Sequence, residues 1–373
     1  MSGGVDSSVA AALLKEQGYQ VIGVTMQVWP SGGSADERFG GCCGIGAIAD
    51  AQRVAQELDI PHYVMNFREV FAQKVIADFC REYSQGRTPN PCIRCNQHVK
   101  FGALLQRANE LGADFLATGH YARIEQVKDR YVLRKGIDST KDQSYALYTM
   151  TQGQLEHTLM PMGNLTKQRV RQIARDLKLA VAGKSESQEI CFIPDNNYRR
   201  FLEEHMPQRA RSGPVTDREG NILGGHRGII HYTVGQRRGL GISAGEPLYV
   251  LVIDSDRNAV VVGSRGEVFG SELVAAEVNW TSIEKPTRPI AVEAKIRYLH
   301  KQAEALVTPM GNGEAHVRFE QPQMAIAPGQ AVVFYQGDVV VGGGTIEQTE
   351  RKSDGQDNCG LPQRCEGHQE GTR

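Results

Sequence analysis

The feature that most constrains the fold is a Gly-rich loop at the start of the chain, Ser2-Gly3-Gly4-Val5-Asp6-Ser7-Ser8, which runs directly into a predicted helix at 5–17. Two glycines let the backbone approach a ligand closely, and the free N–H groups at a helix start attract anions. A bare Ser-Gly-Gly is more often only a helix cap. No Gly-Lys-Ser or Gly-Lys-Thr follows, which excludes a Walker A loop. The full string therefore indicates a phosphate-binding loop of another type.

The first half of the chain alternates β-branched segments with amphipathic ones. The predicted strands are 20–28, 62–67 and 115–118, and the further predicted helices are 47–58, 69–84, 101–111 and 165–179. This alternation is typical of an α/β fold with a parallel sheet. We expect it to form one domain over residues 1–195.

The second half has a different texture. Residues 196–268 are irregular and Gly-rich and are assigned to a small central domain, and residues 269–350 are assigned to a C-terminal antiparallel β-barrel. Short strands separated by turns begin beyond Glu246, with 249–254 and 259–263 among them, and this pattern predicts the barrel. Residues 351–373 contain one aliphatic side chain, Leu361, so we expect a disordered tail.

Composition restricts the classes of partner. The chain has 42 Lys and Arg against 43 Asp and Glu, so a nucleic acid would have to bind a local basic patch. Lys and Arg exceed Asp and Glu between Leu165 and Arg238, where such a patch is possible. No apolar run is long enough for a membrane span, and the start of the chain does not resemble a signal peptide. We expect a cytoplasmic protein whose eight cysteines are reduced.

Two cysteines form a Cys-x-x-Cys, Cys92 and Cys95, behind two prolines and ahead of a helix expected from about Phe101. Arg94 and the helix start should stabilise a thiolate below the free-cysteine pKa of ~8.5. The motif suits zinc, iron–sulfur or thiol chemistry, although the lack of a second Cys-x-x-Cys disfavours a structural zinc site. Cys191 lies between Ile190 and Phe192, a setting that in isolation is more typical of a buried cysteine.

Six strings in this order resemble the tRNA-specific 2-thiouridylases, the MnmA family. They are the loop at 2–8, TPNPCIRCN at 88–96, TGHYA at 118–122, KDQSY at 141–145, SQEICF at 187–192 and GQRRGLGI at 235–242. The resemblance covers residues 1–350. It implies a PP-loop ATP pyrophosphatase domain and an enzyme that adenylates the wobble uridine (position 34) of tRNA and replaces its 2-oxygen with sulfur, releasing AMP and pyrophosphate.

The resemblance also implies a nucleotide site. ATP and Mg²⁺ would be bound by Ser2, Gly3, Gly4, Val5, Asp6, Ser7 and Ser8 of the loop, with Met26 and Gly119 bordering the nucleotide. In the family a hydrophobic strand precedes the loop. Met1 stands where that strand would end, so we expect the sheet to lack it.

By the same resemblance Cys191 carries the incoming sulfur as a persulfide, and Cys95 attacks it and leaves a Cys95–Cys191 disulfide. The first position of the Cys-x-x-Cys can be Asp in the family, but here it is Cys92. Three thiolates, Cys92, Cys95 and Cys191, would also suit a [4Fe–4S] cluster with one open iron that hands over hydrosulfide. Both routes remain open from the sequence. The implied sulfur source is a cysteine desulfurase or a relay protein.

The resemblance further implies contacts with the anticodon stem-loop of tRNA. The matching residues are Asn90, Pro91, Cys92, His120, Lys141, Asp142, Gln143, Arg297, Tyr298 and Gln330, and the central domain is expected to contact tRNA as well. Without the resemblance, 141–142 would pass for a surface turn and 297–298 for an edge-strand pair.

Three rival hypotheses remain at this level. Another PP-loop adenylating ligase that modifies RNA, such as a tRNA lysidine synthetase, would explain the loop but neither Cys95 nor Cys191. An amidotransferase ligase is disfavoured further because no glutaminase domain is present. A non-catalytic iron–sulfur or zinc protein that binds RNA through its barrel leaves the Gly-rich loop without a purpose. A catalytically dead paralogue is the third.

Overall fold

The computed structural model describes residues 1–28, 45–185, 190–193, 195–242 and 245–348. Two predictions fall on residues outside these ranges: the tail at 351–373, and the first residues of the string at 187–192.

The N-terminal domain is built from short helices and strands. The α-helices of the chain are α1 (Val5–Glu16), α2 (Ile45–Glu57), α3 (Arg68–Phe71), α4 (Ala77–Ser84), α5 (Pro91–Arg94), α6 (Leu105–Glu110), α7 (Gln152–Glu156), α8 (Lys167–Asp176) and α9 (Tyr198–His205). A first π segment (Ala72–Ile76) joins α3 to α4, and a second π segment (Cys95–Leu104) joins α5 to α6. Short 3₁₀ turns lie at Ser144–Leu147, Pro161–Asn164, Pro207–Arg209, Ile229–His231 and Gly266–Val268.

The parallel strands of the N-terminal domain form two pairs. Strands β1 (Gly23–Gln27) and β2 (His62–Asn66) pair in register from Gly23 with His62 to Gln27 with Asn66. Strands β3 (Leu116–Ala117) and β6 (Thr158–Leu159) form the second pair, which no strand of the described residues joins to the first. The predicted parallel α/β domain is confirmed. The prediction about a strand ahead of the loop stays a prediction.

The central domain is a four-stranded sheet. Its strands, in spatial order, are β8 (Ile222–His226), β7 (Gly213–Thr216), β10 (Ala259–Gly263) and β9 (Tyr249–Asp254). The strand pattern beyond Glu246 grouped β9 and β10 with the barrel strands, whereas the expected domain bounds put both strands within residues 196–268. β10 pairs with β7 through Val260 and Val215, which ties both strands to the central sheet.

The C-terminal barrel is closed and antiparallel, as predicted. Its six strands, in order, are β11 (Phe269–Asn279), β14 (Ala315–Met324), β13 (Ala303–Pro309), β12 (Ile290–Lys295), β15 (Ala331–Gln336) and β16 (Val339–Gln348), and β11 pairs with β16 to close it. A hairpin of the N-terminal domain, β4 (Ala122–Val127) and β5 (Arg130–Lys135), joins β16 through Arg134 and Val339. The hairpin was not predicted.

Aromatic side chains join the N-terminal and central domains. Phe192 packs edge-on against Phe71 and Phe79, with ring centroids 5.8 and 5.3 Å apart. Together with Ile230 and Val250 of the central domain they form one buried cluster, here called the interdomain core. No helix among the described residues is both long and apolar enough to span a bilayer.

Candidate active site

The Gly-rich loop precedes α1 and is held by its own hydroxyl groups. Gly4 is the N-cap of α1, and the hydroxyls of Ser7 and Ser8 donate to its carbonyl oxygen at 3.2 and 2.9 Å. The backbone N–H of Ser2 donates to Ser7 Oγ at 3.0 Å. The loop therefore curls around the first turn of a helix whose N–H groups and dipole favour an anion.

Two glycines allow neighbouring elements to pack closely on this loop. Gly3 has φ +62°, and a Cβ there would lie 2.3 Å from the carbonyl oxygen of Ala47 in α2. Gly119 follows β3, and a Cβ there would lie 3.0 Å from the backbone nitrogen of Ser7. The structure thus brings predicted residue Gly119 against the loop. Predicted residue Met26 lies on β1 and packs against the interdomain core.

Asp6 is held from two sides, by a tyrosine of the TGHYA string that was not predicted as a site residue and by a lysine outside every string. The buried hydroxyl of Tyr121 donates to Asp6 Oδ1 at 2.7 Å. Lys167, the first residue of α8, donates its ammonium to both carboxylate oxygens at 2.7 and 2.8 Å. A second lysine, Lys184, donates to the Gly3 carbonyl oxygen at 2.9 Å and to Asp50 Oδ2 at 2.7 Å. No spacing rule links the two lysines or the Tyr121 hydroxyl to the loop, so these contacts are seen only in the folded chain.

The Cys-x-x-Cys lies within a helix rather than ahead of one. The prediction that this helix starts near Phe101 was therefore wrong. Asn90 is the N-cap of α5, accepting the backbone N–H of Cys92 at 3.1 Å, and Pro91 occupies the first turn. The chain stays helical through Cys95, which opens the second π segment. Asn and Pro in these positions are a standard helix start.

Arg94 does not bring a free positive charge to the thiols. Its guanidinium lies 3.4 Å from Asp78 Oδ2 and 3.0 Å from Glu277 Oε2, a barrel residue. Two carboxylates therefore largely offset the charge that was expected to stabilise a thiolate.

Two of the three predicted cysteines contact the same hydrophobic cluster. Cys95 and Cys191 both pack, partly buried, against the interdomain core. Cys92 is exposed and lies near Tyr298: burial, then Asp142, then Cys92 raise the pKa of the Tyr298 hydroxyl. Cys80 is half-buried against the interdomain core, and burial raises its pKa to about 11.

The metal hypothesis for these cysteines does not fit their arrangement. Among the described residues no three Cys, His, Asp or Glu side chains are grouped closely enough to hold a metal ion. We therefore derive no step through an iron–sulfur cluster. Mg²⁺ is a different case, because it usually binds one or two carboxylates together with substrate phosphates, and Asp6 supplies such a carboxylate beside the loop.

The predicted tRNA-contacting residues come from distant parts of the chain and lie in two linked groups. Tyr298 donates its hydroxyl to the Asp142 carbonyl oxygen at 3.2 Å, which joins the 141–143 turn to the barrel. Gln330 donates its amide to the Thr88 carbonyl oxygen at 2.8 Å, and the Thr88 N–H donates to the Pro328 carbonyl oxygen at 2.8 Å. These bonds place the segment before Asn90 beside the barrel loop around Gln330. Arg297 and Lys141 are partly buried, and Pro91 is buried.

Three of these side chains are occupied inside the protein. His120 is buried, with Nδ1 2.9 Å from Thr118 Oγ1, and burial followed by the charge of Lys100 lowers its pKa well below the ordinary value. The Gln143 amide oxygen accepts the Tyr121 N–H at 3.0 Å. Asp142 accepts the Gly136 N–H at 3.1 Å and the Ser144 hydroxyl at 2.9 Å. The Gln143 and Asp142 side chains therefore stabilise the turn, and the His120 ring lies inside the protein.

A Gly-rich loop that opens a helix, beside parallel strand pairs and without a Walker lysine, defines a PP-loop domain of the kind that uses ATP. Family models match in three successive stretches: the tRNA methyl transferase HUP domain over 1–195, the PRC-barrel domain of the same family over 199–264, and the aminomethyltransferase β-barrel domain over 270–346.

Curated relatives cover nearly the whole chain. The tRNA-specific 2-thiouridylase MnmA of Clostridium perfringens (strain 13 / Type A) is 55% identical over 347 residues, which is 93% of this chain and 97% of the relative. The protein of the same name from Halothermothrix orenii is 54% identical over 349 residues, 93% of this chain and 98% of the relative. A solved chain described as a predicted subunit of a tRNA methyltransferase from Methanocaldococcus jannaschii gives a TM-score of 0.27 at 18% identity, covers 56% of this chain and 84% of that one, and carries no argument.

The chain belongs to the family of tRNA-specific 2-thiouridylases. The predicted family and fold class are thereby confirmed, and the ligase and non-catalytic rivals are not favoured.

Proposed function

We propose that this protein is an ATP-dependent tRNA-uridine 2-sulfurtransferase that forms 2-thiouridine at the wobble position. The observation that carries the proposal is that one chain, similar to 2-thiouridylases over 93% of its length, holds a PP-loop together with two cysteines on one interdomain core. A ligase of the same fold class would need the loop but not this pair of thiols.

The first step uses ATP. The uridine 2-oxygen attacks the α-phosphorus, an O–P bond forms, and the bond to the bridging oxygen breaks with its electron pair leaving on pyrophosphate. The residues proposed to bind the nucleotide are Ser2 to Ser8, with Met26 and Gly119 at its border. Bound Mg²⁺ would offset charge on the phosphates, with Asp6 as the carboxylate nearest the loop. The product is an adenylated base, from which AMP departs more readily than oxide would.

The second step uses the two cysteines at the interdomain core. Cys191 receives sulfur as a persulfide, and the Cys95 thiolate attacks the sulfur bonded to the Cys191 side chain. Hydrosulfide is expelled, attacks C2 of the adenylated uridine and displaces AMP. The resulting Cys95–Cys191 disulfide needs two electrons from a dithiol reductant for the next turnover. Reduced thiols suit a reducing compartment such as the cytoplasm.

The placement of Cys92 supports the persulfide route over a cluster. Cys92 is exposed near Tyr298, whereas Cys95 and Cys191 contact the interdomain core. A [4Fe–4S] cluster on all three thiolates is the alternative, and it makes a different prediction for Cys92.

The proposed substrate contacts involve the anticodon stem-loop of tRNA. Asn90, Pro91 and Cys92 lie at the start of α5 beside the barrel loop of Gln330, and Tyr298 lies beside Asp142. These segments would surround a base drawn out of its stack, with Lys141 and Arg297 binding phosphates. His120 and Gln143 would act on the substrate indirectly, by positioning the residues around them. A cysteine desulfurase or relay protein is the proposed sulfur donor.

The test is the reaction itself. Anaerobically purified protein is incubated with unmodified tRNA, Mg-ATP and a sulfur source, and the digested nucleosides are analysed by mass spectrometry. We expect 2-thiouridine that requires ATP, and losses of about 1,000-fold or more for Cys95→Ala and Cys191→Ala, the size expected when a nucleophile is removed. Cys80→Ala, at a half-buried cysteine of α4, is the matched control and should retain activity.

Cys92→Asp separates the two sulfur routes. The persulfide route predicts that this variant keeps most of its activity, because only Cys95 and Cys191 take part in the sulfur transfer. The cluster route predicts its loss together with the iron. Absence of thiouridine from a folded protein that binds ATP would refute the proposed function.

A further inference from the structure

Two ammonium groups contact the PP-loop from outside every motif that identified it. Lys167 binds Asp6, and Lys184 binds the Gly3 carbonyl oxygen and Asp50. They come from α8 and from the segment after it, more than 160 positions along the chain from the loop. Their roles differ because their surroundings differ.

The surroundings of Lys167 keep its ammonium group on Asp6. Its side chain is 11% exposed, donates to both Asp6 carboxylate oxygens, and lies 5.7 Å from the centre of the Tyr121 ring. The Lys167 backbone N–H donates to Asp138 Oδ2 at 2.9 Å, which fixes the start of α8. A cation that is buried and bound in this way orients Asp6, and moving it would leave a carboxylate with less compensation.

The surroundings of Lys184 allow its ammonium group to leave Asp50 for another anion. Its side chain is 36% exposed, and one of its two acceptors is a neutral carbonyl oxygen in the turn of the loop. The other, Asp50, is a carboxylate on α2 that is itself 30% exposed and can be solvated by water if the lysine leaves. Lysine binds phosphate as a flexible point charge, and phosphate oxygens beside Gly3 would offer more negative charge than Asp50 does.

We propose that Lys184 is a phosphate-binding residue that takes the β- and γ-phosphates of ATP and stabilises the leaving pyrophosphate. This inference rests on the proposed function. As the bond between the α-phosphorus and the bridging oxygen breaks, its electron pair collects on pyrophosphate, and an ammonium within reach lowers the energy of that charge. Lys184 then exchanges Asp50 for phosphate, while Lys167 continues to orient Asp6.

The experiment compares three ligands on the intact protein in the presence of Mg²⁺. Binding of ATP, AMP and inorganic pyrophosphate is measured by calorimetry for the parent protein, Lys184→Gln and Lys74→Ala, an exposed lysine of the first π segment that serves as the matched control. We expect Lys184→Gln to weaken ATP and pyrophosphate by about 10-fold or more, the size of a lost charged hydrogen bond, and to leave AMP within about 2-fold. Lys74→Ala should change none of the three.

A second variant distinguishes phosphate binding by Lys184 from a purely structural role in stabilising the loop. Asp50→Asn removes the competing carboxylate, so the proposal predicts ATP binding that is unchanged or tighter. If Asp50→Asn weakens ATP as much as Lys184→Gln does, or if Lys184→Gln weakens ATP and AMP equally, the lysine is a structural brace and the proposal is wrong. If the parent protein makes 2-thiouridine and Lys184→Gln binds ATP and pyrophosphate as tightly as the parent does, this inference alone is wrong. A parent protein that makes none would sink the proposed function.

Discussion

At the scale of single residues, the barrel has a strained backbone conformation at Glu277, the residue that contacts Arg94 of α5. Glu277 has φ +51°, a left-handed conformation that costs a non-glycine residue roughly 1–2 kcal/mol. It lies in a bulge of β11, between the points where Ala276 and Asn279 pair with β16. The bulge directs the Glu277 carboxylate to Arg94, between Cys92 and Cys95. Strain of this kind persists where the surrounding structure requires it, and here it links the barrel to α5.

The strain can be measured by comparing two substitutions of Glu277. Glu277→Ala loses the Arg94 contact and keeps the unfavourable φ, whereas Glu277→Gly loses the same contact and relieves it. We expect the glycine variant to have the higher free energy of unfolding by about 1 kcal/mol in chemical denaturation. Glu320, an exposed strand residue without a positive φ, is the control, and there glycine should be less stable than alanine. The same order at both sites would mean that Glu277 is unstrained.

At the scale of elements, the cap of α5 sets the position of the Cys-x-x-Cys. Asn90 accepts the Cys92 N–H, and Asn90→Ala should lower the free energy of unfolding by about 1 kcal/mol. Because the first turn of α5 would fray, alkylation of Cys92 by iodoacetamide should become faster. Both quantities are read from one preparation, by denaturation and by timed mass spectrometry.

The control is a cap of the same chemistry on another helix. Asn197 caps α9 by accepting the Arg200 N–H at 3.1 Å, far along the chain from Cys92. Asn197→Ala should cost similar stability and leave the Cys92 alkylation rate unchanged. Equal acceleration in both variants would show that the rate follows global unfolding rather than the α5 cap.

The same elements show what sequence patterns predict and what they miss. Helices α1, α2 and α8 and strands β1 and β2 agree with prediction within a few residues, because their apolar spacing is local information. The start of α5 was missed because two prolines were interpreted as a stiff approach, although Pro91 at a helix start is favourable. Strand pattern alone does not specify the pairing partner, so it grouped β9 and β10 with the barrel strands although they pair within the central sheet.

In the candidate site, too, the residues in short strings were predicted and the contacts made by tertiary packing were not. The loop, Cys95 and Cys191 were identified from short strings, since their chemistry lies in contiguous residues. Lys167 and Lys184 lie outside every string, and the contact of Tyr121 with Asp6 is made only by the fold, so no spacing rule indicated these three contacts. The occupied side chains of His120 and Gln143 depend on tertiary packing in the same way.

At the scale of the whole molecule, ion pairs connect the barrel to the cysteine-bearing domain. Arg87 donates to the buried Glu82 at 2.6 Å and, through both terminal nitrogens, to Glu347 of β16. The Gln330 bond to Thr88 lies next to this network. Segments that surround the proposed base pocket are therefore held by contacts between domains. A substitution in the barrel can alter the site without touching substrate, which is why each activity test needs a stability measurement beside it.

Buried histidines make the stability of the whole molecule depend on pH. Burial is the largest cause that lowers the pKa of His62, His98, His120, His226, His231 and His300 in the folded chain. Below the ordinary histidine value of about 6.5 the unfolded chain binds more protons than the folded one, so the free energy of unfolding falls as the pH falls. Asp138, Asp217 and Asp338 have pKa values lowered from 3.8, so their stabilising contribution is lost only at lower pH.

We therefore expect the free energy of unfolding to drop by at least about 2 kcal/mol between pH 7 and pH 5, since one histidine kept neutral contributes up to ~1.4 kcal/mol per pH unit below 6.5. His120 is buried and should account for the largest single share. Urea denaturation at pH 7, 6 and 5 measures the slope for the parent protein and for His120→Gln, which can keep a hydrogen bond to Thr118. The variant should show the shallower slope, whatever its stability at pH 7. Equal slopes would mean that His120 takes up a proton in the folded protein as easily as in the unfolded chain.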